Sequence, residues 1–479
     1  MDNRPENQST GLKKELSPLS VWALAFGCII GWGSFFNPGL KFLPAAGPLG
    51  TAIAMLAGAA IMIVIACSYN YLIPHYPTAG GEFSYTLAVF DAKHAFVCGW
   101  FLVLAYIANV PSNATAFGYM TRFLFDGAFS RGYLYSVSGY QVYMGEVLVS
   151  ATAIIILSVF SVRGIKVAGV VECIFAFSLA ICVVIIAAAA VLSPVCTLNK
   201  LSPMFSPNAQ STSEAVKEVV SILAIAPWAF VGFDTIPQTC EEFNFSHKKV
   251  FGIMIVAILF GAFVYISNTL VAATAIQGSY TDAINDPSIS WLLGSAVKNI
   301  LGTPGVIILG IALSCAILTG LLGFLTASSR LMYAMACAGF LPEPFGRLHP
   351  EYGTPKNALL FCMAVSLAGP FFGRVALGWF VDMAAIGAAI GFGYTCCASA
   401  LTIKELRDVK NWRGLSALGW LGTVFSCIFI IMFLPGMPAA LDIPSLIMLV
   451  IWIVLGVAFY FARKDKVIEF TEGQPLNEA

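Results

Sequence analysis

Charge is scarce in this 479-residue chain: Asp, Glu, Lys and Arg together make up 10% of it, against roughly 25% in typical soluble domains. So little charge excludes an ordinary solvated globule. The 25 basic residues balance the 25 acidic ones, so the basic footprint of a nucleic-acid binder is absent. Histidine is rarer still. The four (75, 94, 247, 349) all fall in or beside loops, and none has the Cys/His spacing of a zinc site. No Ser/His or Cys/His pair lies at membrane depth and no acidic motif suits lipid-phosphate chemistry, so a membrane-embedded enzyme has no support. A channel is disfavoured too, because symmetric pores use few spans per subunit. A cleavable signal is not expected, because the first residues carry mixed charge (Arg4, Glu6, Lys13, Lys14, Glu15) with no small-residue cleavage pattern.

What the chain has instead is apolar length. Hydrophobic residues make up 59% of it, and mean hydropathy is +0.85. Thirteen cysteines are present, but Cys28, Cys67, Cys315, Cys396 and Cys397 lie inside apolar runs, where cysteine acts as a small hydrophobe. Runs long enough to cross a hydrocarbon core of about 30 Å predict an all-α integral membrane protein. Its twelve spans are placed near 18–44, 48–73, 95–124, 142–162, 167–193, 216–243, 248–278, 303–337, 357–374, 377–402, 415–435 and 442–463. With both termini cytoplasmic, 18 Lys and Arg fall inside and seven outside (Lys41, Arg122, Arg131, Lys200, Lys217, Lys298, Arg374). This bias sets the expected orientation in a cell membrane. Residues 1–17 and 464–479 are read as cytoplasmic tails.

Two spans interrupt themselves. Span 1 contains "GCIIGWGSFFNPG" (27–39), and span 6 contains "APWAFVGFDTIPQTCEEF" (226–243), with Asp234 at membrane depth. Glycine and proline both weaken helix interiors. Unwound backbone in a membrane is tolerated only where it is buried in protein or lines a cavity. The two breaks lie five spans apart, so their halves cross in opposite directions. Paired interruptions of this kind point to a midplane binding site in an inverted-repeat transporter. The competing reading of such glycines is tight helix packing, as "GAAIG" (387–391) in span 10 is read.

The same segments carry a resemblance. "IIGWGSFFNPG", "YPTAGGEFSYTLAVFDAKHAFVCGW" (76–100), "WAFVGFDTIPQTCEE" and "SSRLMYAMACAGFLPEPFGRLHPEYGTPKNAL" (328–359) are similar, in order, to motifs of the amino acid–polyamine–organocation permeases. The resemblance covers residues 18 to about 400; spans 11 and 12 carry little of it. It implies a leucine-transporter-like core at 18–402, with five spans at 18–193 and five inverted spans at 216–402, and two extra helices at 403–463. It also implies secondary transport of a small amino acid or, alternatively, of an organic amine or polyamine, by proton symport or exchange.

Site expectations follow from the breaks. Backbone N–H groups of Trp32, Gly33 and Ser34 suit a substrate carboxylate, since a helix N-terminus attracts anions. Carbonyls of Ile29, Ile30, Trp228, Ala229 and Val231 suit an ammonium group. Trp228 resembles an aromatic gate, and Trp32 departs from the small residue often found there in the family. Asp234 suits an amine partner, a proton carrier or a cap on the second half of span 6. Asn109 and Asn113 share a helix face and either line the cavity or bridge helices. Ser314 and Thr319 pose the same choice, with a sodium site as the third role. Glu172 is read as a proton relay or a partner of Lys166 or Arg163. The basic residue of some relatives deeper in span 5 is missing, which leaves exchange, facilitated uptake, sodium or another proton site. Glu82 is expected to pair with Arg330 in an inner gate. No cofactor or metal is expected; the expected partners are the bilayer, the substrate and either a proton or a sodium ion.

Overall fold

Glycine and proline decide where the long apolar helices stop. The computed structural model describes residues 12–473, with side chains to Arg463, so most of the N-tail and the side chains of the C-tail lie outside the described residues. Helix α1 (Pro18–Ile29) opens on Ser17, whose hydroxyl accepts the Ser20 N–H, with Pro18 in its first turn. That pairing of a hydroxyl cap with an early proline is the favoured helix start. The chain unwinds over Ile30–Trp32, restarts as α2 (Gly33–Asn37), passes through a wide π turn at Pro38–Phe42 and enters α3 (Leu43–His75), which turns sharply at Gly47. Short α4 (Glu82–Val89) lies between spans 2 and 3, and α5 (Ala92–Leu124) follows.

A hairpin that the sequence reading did not place, β1 (Tyr133–Val137) and β2 (Tyr140–Tyr143), leads to α6 (Met144–Val162) and α7 (Ile165–Leu192). The second broken segment runs as α8 (Thr212–Leu223), α9 (Ala226–Phe230) and α10 (Thr235–Gln238). Then come α11 (Val250–Thr274), α12 (Tyr280–Asn285), α13 (Leu292–Cys337), α14 (Lys356–Ser366), α15 (Ala376–Leu406), α16 (Trp412–Met432) and α17 (Ile443–Gly473). Gly302 bends α13 into a short lead-in and a long span.

Among the described residues, ten helical stretches are long and apolar enough to cross a membrane, and Pro18–Ile29 and Lys356–Phe372 are shorter apolar helices. The chain is therefore a multi-pass membrane protein. Exposed Leu, Ile, Val and Phe cover α6, α7, α16 and α17, which suits contact with lipid. By contrast α5 and α13 are buried along most of their length and form the centre on which α1 and α10 rest.

Gly232 fixes how the two broken segments cross. Its φ is +142°, and a Cβ there would stand 2.7 Å from the Ile29 N and 2.8 Å from the Ala25 carbonyl oxygen. The turn of span 6 thus lies directly on the backbone of α1. Gly232→Ala is expected to cost about 1–3 kcal/mol in backbone strain, with the clash added. A melting curve of the detergent-solubilised protein that matches wild type would refute this account of the crossing.

Candidate functional site

Breaking a helix in an apolar layer strands donors and acceptors, so the first question is where they go. In the first break, the Ile29 carbonyl accepts the Tyr265 hydroxyl (3.3 Å), and the Gly27 carbonyl accepts that of Thr319 (3.3 Å). The Ser34 carbonyl accepts Asn268 Nδ2 (2.9 Å). The restart is tight: Ser34 N–H donates to the Gly31 carbonyl (3.3 Å), and Phe35 and Phe36 donate to that of Trp32. Of the N–H groups expected to meet a carboxylate, that of Ser34 is thus engaged within the turn.

In the second break, Asp234 does the stitching. Its Oδ1 accepts the Gly232 N–H at 2.6 Å, and its Oδ2 and main-chain carbonyl accept the Tyr106 hydroxyl at 3.0 and 3.1 Å. The expected cap on the second half of span 6 is corrected accordingly. Asp234 makes no side-chain bond to the first turn of α10, because its carboxylate turns back to the unwound residue before it. Trp228 O accepts the Val231 N–H at 3.3 Å, so this carbonyl is already partnered, while no bond is seen to those of Ala229 and Val231.

Between the breaks stand two indoles. Trp32 and Trp228 lie 5.8 Å apart, centroid to centroid, and both are buried. Trp32 Nε1 donates to Ser112 Oγ (2.8 Å) and Trp228 Nε1 to Asn109 Oδ1 (3.2 Å). A Cβ on Gly33 would come within 2.2 Å of the Trp228 ring. The close approach that Gly33 permits is therefore taken by Trp228. Asn109 and Asn113 each donate to the carbonyl four residues earlier. Asn113 Oδ1 is different: it is buried without a hydrogen-bond partner, 3.1 Å from where a Cβ would stand on Gly31. An acceptor is thus left open against the first break.

Both ends of this core are closed. On the face opposite the N-terminus, Phe36 packs on Tyr119, Phe123 and Trp291, and Trp291 Nε1 donates to the Phe35 carbonyl. On the face carrying the N-terminus, Arg330 pairs with Glu242, both contacts at 3.1 Å and both side chains at most 1% exposed. The expected Glu82–Arg330 pair does not form. Glu82 instead accepts Tyr69 OH (2.7 Å) and the amide of Gln238, which reaches Tyr106 OH at 3.4 Å. The reason is position: Glu242 follows α10 directly beneath α13, while Glu82 faces α3 and α10. Burial pushes the Glu82 carboxyl well above its ordinary range, aided by the charge of Asp234 and opposed by its Tyr69 and Gln238 bonds. The N-terminal segment closes the same face, with Leu16 exchanging backbone bonds with Glu242 and Asn244 (2.8 and 3.0 Å).

Two further expectations are corrected. Glu172 pairs with neither Lys166 nor Arg163; it is buried against Gly323 with both carboxyl oxygens unpartnered. Ser314 and Thr319 part company. Thr319 faces Gly27 of α1, whereas Ser314 bonds the Gly310 carbonyl and touches Met120, since five residues on a helix turn well past one face. Tyr106, Gln238, Tyr69 and Glu242 were not singled out from sequence. The polar Gln238 and the pair Glu241–Glu242 within an apolar run were the available signal.

The comparisons agree with this architecture. Residues 16–459 match the family described as amino acid permease, and the chain belongs to it. The branched-chain amino acid permease BcaP of Bacillus subtilis (strain 168) is 25% identical over 464 residues, covering 95% of this chain and 94% of that one. The methylthioribose transporter of the same organism is 26% identical over 473 residues (96% and 95%). The human large neutral amino acids transporter small subunit 2 is 27% identical over 381 residues (76% and 66%).

The buried ion pair yields a prediction. Glu242→Gln or Arg330→Gln alone should destabilise by about 3–5 kcal/mol, because each leaves a charge buried and unpaired. The double substitution should cost less than the sum. Strictly additive melting-temperature losses would mean that the two side chains do not act as a pair.

Proposed function

We propose that this permease is a secondary active transporter of a small amino acid, working by symport or exchange through alternating access at the crossing of the two breaks. In this reading the twelve spans form a five-plus-five inverted repeat with two added helices, in a cell membrane with both termini cytoplasmic. The observation that carries it is Asn113 Oδ1, an open acceptor buried beside Gly31 between two unwound segments. Such an atom suits a substrate ammonium group, with the N–H groups of Trp32 and Gly33 on the carboxylate and Trp228 over the side chain. The names of relatives support an amino acid cargo, two of them naming branched-chain or large neutral amino acids. A sugar-derived cargo is named for another relative, so cargo chemistry differs among the relatives. Nothing in the pair Asp234–Tyr106 favours an amine over an amino acid, because the carboxylate is already bonded at both oxygens.

If the cycle is symport, coupling falls to a proton or a sodium ion. Glu172, buried without a partner beside α1 and α13, is the group placed to respond to either.

The test is counterflow in proteoliposomes with neutral, acidic and basic amino acids and with amines. Neutral amino acids should exchange saturably, and the same compounds should raise the melting temperature of the purified protein by mass action. Asn113→Ala should raise KM about 10- to 100-fold, the value of one hydrogen bond to a charged group, with the fold retained. Saturable counterflow of amines alone would reject the amino acid cargo. A second prediction concerns Asp234→Asn: as a tie across the break, it should lower transport rate and stability together. Unchanged rate with altered pH dependence would instead make it a proton carrier.

A further inference from the structure

A groove on the lipid-facing side between α5 and α17 has a volume of about 270 Å³ and is lined by Phe96, Trp100, Ile453, Val457 and Phe461, with Lys93 at its rim. Its lining is apolar apart from that lysine. The floor is braced: Trp100 and Trp452 stack at 4.6 Å, and each indole N–H donates to the other's main-chain carbonyl (3.0 and 3.2 Å). A floor tied in this way does not collapse to fill the groove. Phe96 meets Tyr460 at the same end as Lys93 (5.2 Å), so the two helices run antiparallel and the rim lies on the face that carries the N-terminus. From Lys93 to Trp100 the groove descends about 10 Å at 1.5 Å per residue, within one leaflet.

Charge identifies the occupant. The Lys93 side chain is exposed and makes no ion pair among the described residues, while the neighbouring Asp91 carboxylate is bonded to the backbone N–H groups of Lys93 and His94 (2.9 Å each) as a helix cap. Beyond the groove, the sequence of α17 continues Arg463–Lys464–Asp465–Lys466. Basic residues at the end of a span attract anionic headgroups. We infer that this groove binds one anionic phospholipid, with its phosphate at Lys93 and one acyl chain laid over the Trp100–Trp452 brace. A volume near 270 Å³ holds a single chain, and a neutral lipid would leave the lysine without a partner. This inference rests on the membrane setting alone and is independent of the cargo.

The experiment is native mass spectrometry of the full-length protein loaded with phosphatidylglycerol or with phosphatidylcholine of identical chains. Wild type should retain phosphatidylglycerol at least about fivefold better, the contribution of one lysine near an anionic surface. Lys93→Glu should abolish the preference, and Val97→Trp, which fills the groove from an exposed position, should lower retention of both lipids. Melting temperatures of both variants serve as the folding control. Equal retention of the two lipids by wild type overturns the inference. So does unchanged retention in both variants, or loss of a dimer on Val97→Trp with lipid retention intact, which would assign the groove to a second copy.

Discussion

Everything in this molecule depends on satisfying the backbone of two broken helices inside a layer that offers no water. Each freed carbonyl or N–H would cost several kcal/mol in hydrocarbon, and four carbonyls near the breaks have been given a side chain from a different helix. Tyr265 and Asn268 come from α11, Thr319 from α13 and Tyr106 from α5. Asp234 serves its own turn. Broken helices therefore need helices with polar residues at matched depths, and that requirement explains why α5, α11 and α13 carry Asn, Thr and Tyr among otherwise apolar letters. Polar residues that look wasteful in a span are the partners of backbone unwound elsewhere.

The same logic separates breaks that bind from breaks that merely bend. Gly47 and Gly302 also leave helical geometry, yet they join one element to the next, and no buried acceptor is left open beside them. The crossing of α1 and α10 differs in that its satisfaction is incomplete. Asn113 Oδ1 remains without a donor although the residue is almost wholly enclosed. The two indoles that close the gap are held by Ser112 and Asn109, not by the breaks themselves.

Composition and interrupted runs were enough to read the membrane class and the positions of both breaks, because glycine, proline and an intramembrane aspartate act locally. Partner choice was not legible. Arg330 is 88 residues from Glu242 and farther still from Glu82, and no spacing rule ranks acids so remote from one another. The sequence reading took the acid whose loop lay on the right face; the structure takes the one directly beneath α13. Of the three roles open to Asp234, the cap is the one its geometry removes. A cap is a forward contact within one helix, whereas here the carboxylate reaches back to Gly232 and out to Tyr106. The hairpin at 133–143 escaped notice because its aromatic residues sit among charges and glycines that read as loop.

The short segment from Gly232 to Glu242 links the site to the closed face. At one end Asp234 and Tyr106 hold the break; at the other, Gln238 bonds Glu82 and Glu242 bonds Arg330. Tyr106 belongs to both ends, since the Gln238 amide also reaches its hydroxyl. These ties are polar and buried, so releasing one without replacing it leaves an unpaired group in a low-dielectric interior. Partial release is therefore disfavoured; under the proposed transport cycle the ties are either all made or all exchanged for water as the face opens. A ligand that shifts the backbone at Gly232 acts on the first tie and thereby biases the rest. Under the proposed transport cycle, these eleven residues and their polar ties make closure of the N-terminal face depend on what occupies the crossing.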